Sequence, residues 1–269
     1  MNDIKEIIND LRQRIYTSFS DLEFVEATHQ YFISGEEYRS VSSIIEEFGH
    51  PFDSDEKSKS VAKKRGITPE EVLKEWKYTN RKSTVNGSLT HEFLEGNVWL
   101  KCGHPELMPE DVRRRNYIES EGWLIPYSAK EEAGQKFLDS LPDSMIPIGA
   151  EFKMSSKYTG LKTRYAGTTD LLFYFNDNKN PGIVIADWKS NKDIRKDYVR
   201  NKGIMMLPPF EDLYDEPLGH YTLQFSMYQI MLESIGLKIL GRRLIWLKDD
   251  GNYEIIKIQD VTDRLRNIL

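Results

Sequence analysis

The chain of 269 residues contains one cysteine, Cys102, and no long uninterrupted run of apolar residues. A single cysteine excludes an intrachain disulfide, a cysteine-rich zinc site and a four-cysteine iron–sulfur cluster. No apolar run approaches the ~18–20 residues that span a bilayer, so no membrane partner is expected. The charged, amphipathic N-terminus lacks the apolar segment of a secretory signal, which predicts a cytoplasmic protein. Any metal ion would have to be held mainly by oxygen and imidazole ligands.

The chain also lacks an excess of positive charge, because it has 37 lysines and arginines but 43 acidic residues, and its net charge is −6. This balance argues at first against a nucleic-acid partner. The basic residues are nevertheless clustered, in three groups: Lys57, Lys59, Lys63, Lys64 and Arg65; Arg113, Arg114 and Arg115; and Lys189, Lys192, Arg195, Lys196, Arg200 and Lys202. Each group could be a solvated helix face. Together they are compatible with a groove that faces phosphates.

Hydrophobic periodicity differs between the two parts of the chain. Residues 1–147 are predicted to be mostly helical and to pack on the rest, with a β-hairpin over 24–39 and a helix or mobile arm over 53–66. Further helices are expected at 4–15, 41–48, 68–78, 85–100, 111–121 and 130–140. Residues 148–269 are predicted to form the core, in the order β-β-β-α-β-β-α. The expected fold is α/β (α+β), one compact unit with a mixed central β-sheet flanked by helices.

The most informative stretch is Asp187-Trp188-Lys189, which follows the apolar run Gly182–Ala186. Because strand side chains alternate, Asp187 and Lys189 should share one face while Trp188 points to the other. Taken alone, this pattern is either an ion pair at a strand end or a site. The turn at 176–182 should place residue 173 opposite 184 and bring Asp170 level with Asp187. Two such carboxylates suit Mg²⁺ or Mn²⁺, and a neighbouring lysine can stabilise charge on a phosphoryl oxygen.

These residues resemble the PD-(D/E)XK nuclease superfamily, in particular its RecB-like exonuclease branch. The acid at the end of one strand is Asp170 in Gly167-Thr-Thr-Asp170, with Thr169 in place of the usual proline, and the next strand carries Asp187-Trp188-Lys189. Gln224-Phe-Ser-Met-Tyr228 matches the branch's Gln-x-x-x-Tyr motif. His91 matches its upstream histidine, and Glu151 an additional acid. The resemblance covers roughly residues 85 to 233. The Asp-x-Lys motif is weak alone, whereas the ordered set is specific.

The resemblance implies a restriction-endonuclease-like fold and a Mg²⁺- or Mn²⁺-dependent deoxyribonuclease without an iron–sulfur cluster. Its implied catalytic residues are Asp170, Asp187 and Lys189. Its implied metal ligands are Asp170, Asp187, His91, Glu151 and the backbone carbonyl of Trp188. Nucleic-acid-binding roles are expected for Gln224, Tyr228, Lys192, Arg195, Lys196, Trp76 and Arg81.

In length and layout the chain is similar to compact phage and mitochondrial-type single-strand exonucleases. This likeness implies an exonuclease acting on single-stranded DNA ends, in the host cytoplasm if phage-encoded, with a helicase or single-strand-binding protein as a possible partner. A structure-selective endonuclease, a non-catalytic nucleic-acid-binding module of the same fold and a ribonuclease remain alternatives.

Each implied residue also has a structural explanation. His91 could be a core histidine, Glu151 a strand-end acid, and Gln224 with Tyr228 a pair at the core edge. Asp170, Asp187 and Lys189 could form only a salt-bridge cluster, because structural ion pairs imitate functional sites. The relative positions of these side chains distinguish the two interpretations.

Overall fold

The computed structural model describes residues 2–109 and 128–269, which form helices packed around a mixed β-sheet. The helices are α1 (Asn2–Ser18), α2 (Val41–Ile45), α3 (Ser54–Arg65), α4 (Pro69–Lys101), α5 (Ala129–Asp139), α6 (Asp197–Lys202), α7 (Pro217–Ser234) and α8 (Thr262–Ile268). The strands are β1 (Leu22–Val25), β2 (Gln30–Ile33), β3 (Glu36–Ser40), β4 (Met145–Ser155), β5 (Tyr165–Phe175), β6 (Gly182–Lys189), β7 (Ile239–Leu247) and β8 (Tyr253–Lys257). The predicted α+β class, with a mixed sheet between helices, is confirmed. Within the described ranges, no helix is long and apolar enough to cross a membrane.

The sheet has eight strands, and one edge of β5 is shared by two of them. The strand order is β1-β2-β3-β5-β6-β7-β8, with β4 lying along the other edge of β5. On the shared edge, β6 pairs antiparallel with residues 171–175 and β3 pairs parallel with residues 165–166. The sheet therefore divides beside residues 167–170, and Asp170 lies at this division.

The N-terminal part of the chain contributes strands to this sheet as well as helices. The expected hairpin over 24–39 is a three-stranded antiparallel unit, and its last strand joins β5. Gly35 has a φ of 79°, a backbone conformation that glycine adopts without steric cost, and it turns the chain between β2 and β3. The sequence boundary between residues 147 and 148 lies inside β4.

Helix α4 differs from the prediction of separate helices at 68–78 and 85–100, because it is a single helix of 33 residues. It begins where expected, with Thr68 and Glu71 forming a capping box. The polar residues 79–84 contain neither glycine nor proline, so nothing there breaks the helix. The basic segment at 53–66 is helix α3. The helix expected at 111–121 and the cluster Arg113–Arg115 lie outside the described residues.

The two faces of the sheet are covered by different helices. Leu172, Ile183 and Ile185 pack in one hydrophobic cluster with residues of α1, α2 and α7. Leu171, Val184 and Trp188 pack in a second cluster with residues of α4 and α5. The prediction that Trp188 points away from Asp187 is confirmed, because alternation places Asp187 and Lys189 on the α7 side of β6.

Candidate metal-binding site

The predicted pairing of β5 with β6 is confirmed. Phe173 lies opposite Val184 and Leu171 opposite Ala186, so Asp170 and Asp187 follow as neighbours where the two strands separate. Asp170 Oδ2 accepts a hydrogen bond of 3.0 Å from the backbone N–H of Trp188. This bond fixes one carboxylate against the strand that carries the other.

Glu151 stands across from Asp170 on the other edge of β5, between the pairs Ala150–Leu171 and Phe152–Thr169. Its φ of 54° lies in the left-handed region, which costs a non-glycine residue about 1–2 kcal/mol. Ala150 packs with the α4–α5 cluster and Phe152 with the α7 cluster, although residues two apart normally share a face. The strained backbone at Glu151 thus interrupts the alternation of β4 at the residue beside Asp170.

His91 reaches this pair of acids from the middle of α4. Its Nδ1 lies 3.2 Å from Asp170 Oδ2. One potential ligand atom from each of His91, Glu151 and Asp170 lies within 4.8 Å of the others. A backbone hydrogen bond with Trp188 also acts on the pKa of His91, in the direction that raises it. The backbone of Trp188, whose carbonyl is an expected ligand, therefore lies next to His91.

Lys189 forms an ion pair with Asp187, whose side chain is buried with 1% exposed, while the Lys189 side chain is half-buried with 14% exposed. The ammonium also lies over the ring of Tyr221, 4.9 Å from its centroid. The lysine is thus held between a carboxylate and an aromatic face. It lines the same cleft as His91.

Among the described residues, the acids of this site outnumber the one lysine that pairs with them. Burial and the Asp170 carboxylate raise the pKa of Asp187 to about 8, although Lys189 opposes the shift. Burial, Asp170 and Glu95 raise the pKa of Glu151 well above its ordinary value. Burial opposes the charge on Lys189, but the carboxylates of Asp187 and Asp170 outweigh it and raise the lysine pKa. The site therefore resists carrying its full negative charge.

Burial and the Lys189 ammonium lower the pKa of His91 to about 4, so the imidazole is neutral at pH 7. A neutral imidazole beside carboxylates is a donor set for a divalent cation. A bound cation would also offset the burial and the repulsion between carboxylates that together raise the pKa of Asp187 and Glu151. The residues present thus fit a Mg²⁺ or Mn²⁺ ion.

Gln224 and Tyr228 face the acids from α7. Gln224 Nε2 donates to the Tyr228 hydroxyl at 3.0 Å. Burial, followed by the charges of Asp187 and Asp170, raises the pKa of Tyr228 well above its ordinary value, which reflects how near the phenol lies to the carboxylates. Gln224 Oε1 is buried and has no hydrogen-bond partner among the described residues. The pair predicted at i,i+4 is formed, and it leaves one acceptor available.

A cleft of about 1000 Å³ opens from this site, lined by residues that include Tyr78, Lys82, His91, Lys130, Lys189 and Lys192. Lys192 also lines a neighbouring groove of about 500 Å³, together with Arg195 and Lys196. Arg195 pairs with Glu254 at 3.1 Å. The groove along the expected basic segment therefore adjoins the cleft that His91 and Lys189 line.

Trp76 and Arg81, which were expected to bind nucleic acid, are not among the described residues that line the cleft. The Trp76 ring packs on Phe52, with centroids 5.9 Å apart. Their neighbours on α4, Tyr78 and Lys82, occupy the cleft wall instead.

Sequence reasoning missed Tyr221, Asn191 and Lys130. Tyr221 lies three residues before Gln224, so helical spacing could have placed it on the same face. Lys130 donates to the backbone carbonyl of Ser190 and pairs with Asp249 at 3.1 Å. No local pattern in the sequence marks Lys130, since its partners are distant along the chain.

No protein-family model and no curated protein matches this chain. The relation to PD-(D/E)XK nucleases therefore stays a prediction from the motifs.

Proposed function

We propose that this protein is a metal-dependent nuclease that hydrolyses phosphodiester bonds in DNA. One observation carries the proposal: ligand atoms of His91, Glu151 and Asp170 lie within 4.8 Å of one another, beside the ion pair of Lys189 with the buried Asp187. Burial and the neighbouring Asp170 carboxylate raise the pKa of Asp187 to about 8, so the one Lys189 ammonium does not offset both causes. The imbalance favours a site built for a cation.

In this proposal, His91, Glu151, Asp170, Asp187 and the Trp188 carbonyl hold Mg²⁺ or Mn²⁺. The ion would supply Lewis-acid polarisation of the phosphate and would lower the pKa of water.

The chain's own side chains would act on the substrate directly. Lys189, charged at neutral pH, can donate to a phosphate oxygen or orient an attacking water. Gln224 offers its unpaired Oε1 as an acceptor on the same side of the sheet.

The cleft supports a nucleic-acid substrate. Lys82 and Lys192 on its walls can contact phosphates, and the exposed ring of Tyr78 can stack on an unpaired base. We further propose that the substrate is a single-stranded DNA end and that the enzyme is an exonuclease. This assignment follows from the likeness to single-strand exonucleases and from the aromatic and cationic residues together.

The experiment is cleavage of linear and closed circular single-stranded DNA, with RNA in parallel. We expect degradation of the linear DNA with Mg²⁺ or Mn²⁺, and loss of activity with EDTA and in Asp170→Ala. Tyr253→Phe, which removes a hydroxyl bonded to Ser140 on the α5 side of the sheet, is the matched control and should retain activity. Cleavage that is insensitive to EDTA would refute the metal mechanism. Cleavage of circles would replace the exonuclease with an endonuclease, and faster cleavage of RNA would replace the deoxyribonuclease.

A further inference from the structure

One side of α7 carries two tyrosines and a glutamine, of which Tyr221 comes first. Tyr221, Gln224 and Tyr228 follow the spacing i, i+3 and i+7, which places them along one helix face. Gln224 donates a hydrogen bond to Tyr228, whereas the Tyr221 hydroxyl donates to Asn191. Its partners lie on the segment that follows β6.

The Tyr221 ring is fixed beyond the helix backbone by one hydrogen bond, whose partner is itself held by a second. Its hydroxyl donates to Asn191 Oδ1 at 2.5 Å. The carbonyl of Asn191 in turn accepts a bond of 2.8 Å from the indole N–H of Trp246 on β7. The ring is thus tied through Asn191 to the strand beside β6, and its face is presented to Lys189.

Lys189 is consequently constrained from both sides. Asp187 binds the ammonium from its own strand, and Tyr221 covers it at 4.9 Å from α7. A lysine side chain has a flexible four-carbon stem and loses considerable conformational freedom when held in one place. A fixed ring that attracts the ammonium limits this freedom without removing a proton donor.

We propose that Tyr221 is a positioning residue that holds the Lys189 ammonium toward the cleft, with Asn191 as its anchor. The inference rests on the proposed nuclease function, in which Lys189 contacts the reacting phosphate or water. Tyr221 itself makes no contact with the substrate in this role. Its aromatic face is the essential part, and its hydroxyl serves only to fix the ring.

The first test measures the geometry without any metal or substrate. Protein with ¹³C-labelled lysine side chains should show Lys189 ε-methylene protons shifted upfield by the Tyr221 ring current, and Lys189→Met identifies the resonance. The shift should persist in Tyr221→Phe and disappear in Tyr221→Leu. Tyr214→Leu is the matched control, because Tyr214 lies under Arg200 at 5.1 Å, away from Lys189. A Lys189 resonance that does not change in Tyr221→Leu would overturn the inference.

The second test measures kcat and KM on single-stranded DNA. A cation–π contact of ordinary strength predicts that kcat falls about threefold to thirtyfold in Tyr221→Leu while KM changes little. Tyr221→Phe should recover most of kcat, and Tyr214→Leu should retain it. Because Tyr221 acts through Lys189, the loss should vanish when Tyr221→Leu is combined with Lys189→Met.

The outcomes separate this inference from the proposed function. A wild-type protein without metal-dependent cleavage refutes the nuclease, whereas the resonance test still reports on the contact. A cleaving wild type whose kcat is unchanged in Tyr221→Leu refutes the positioning role. An equal loss of kcat in the presence and absence of Lys189 also refutes it, since Tyr221 would then act by another route.

Discussion

Two carboxylates in this protein are equally buried and have opposite surroundings. The side chains of Asp187 and Glu216 are each 1% exposed, and each has a cationic partner. Glu216 accepts from the Arg200 guanidinium at 2.6 Å and from the backbone N–H of Lys196 at 2.7 Å. Asp187 shares its lysine with Asp170, and burial with this second acid raises its pKa to about 8.

The difference separates a structural acid from a site acid better than burial does. A guanidinium and a backbone N–H supply several donors to Glu216, which connects the start of α6 to the start of α7. The acids near Asp187 are arranged around too few donors. The ion pair and hydrogen bonds of Glu216 stabilise the fold, which explains a buried carboxylate at this position. Asp187 lacks this explanation, so we infer that its carboxylate serves a function.

The largest expected effect is on activity. Asp187→Asn should reduce metal-dependent cleavage by about 10³-fold or more, because the neutral amide is a poor ligand and a poor partner for Lys189. Glu216→Gln should stay within about threefold of wild type per folded molecule. Initial rates on single-stranded DNA measure both. Equal losses in the two variants would remove the distinction between these acids.

Unfolding free energies should show the reverse order. Glu216→Gln should lose about 2–3 kcal/mol, because Arg200 keeps its charge and loses its acceptor. The folded pKa of Asp187 lies above its unfolded value of 3.8, so its ionisation destabilises the metal-free fold as pH rises toward about 8. Asp187→Asn should therefore be no less stable than wild type at pH 9, in urea unfolding with EDTA. A clear destabilisation there would show that the Asp187–Lys189 pair is itself structural.

The pH dependence of metal affinity should come from Asp187 and not from Glu216. Since Asp187 must lose a proton to act as a ligand, the apparent Mn²⁺ affinity should rise about tenfold per pH unit for each proton released, up to about pH 8. Calorimetry in buffers with different ionisation enthalpies counts these protons. Asp187→Asn should release fewer, and Glu216→Gln the same number as wild type. Affinity independent of pH between 6 and 8 would contradict the raised pKa.

The smallest effect concerns the basic groove beside the site. Lys192→Gln should weaken single-stranded DNA binding a fewfold and reduce the salt slope by about 0.7 for one lost phosphate contact. Lys202→Gln, on the far end of α6, is the matched control and should change the slope less. Fluorescence anisotropy at several salt concentrations, with Ca²⁺ in place of Mg²⁺, measures both. Identical slopes for the two variants would remove Lys192 from the DNA path.

The parts of the site that sequence predicts are those governed by local rules. Turn residues at 176–182 and strand alternation are enough to align Asp170 with Asp187 and to turn Trp188 away. The spacing of Gln224 and Tyr228 is enough to pair them. These relations need only a strand, a turn and a helix.

The parts that sequence misses depend on distant segments. The pairing of Ser40 with Ala166 divides the sheet at Asp170. No local sequence pattern predicts that β3 pairs with a strand so far along the chain. The left-handed backbone conformation of Glu151 could not be predicted from the sequence either. Glycine and asparagine are typical of such positions, and glutamate is not. The continuity of α4 was missed because its polar residues 79–84 lack an apolar face.

The division of the sheet has a consequence for when the site forms. His91, Glu151 and Asp170 come from three elements, and β3 must return from the N-terminal part to complete the neighbourhood of β5. Contacts this distant in sequence form slowly, because loop closure must precede their stabilisation. The site is thus a long-range feature of the fold, complete only when segments that lie far apart along the chain have met.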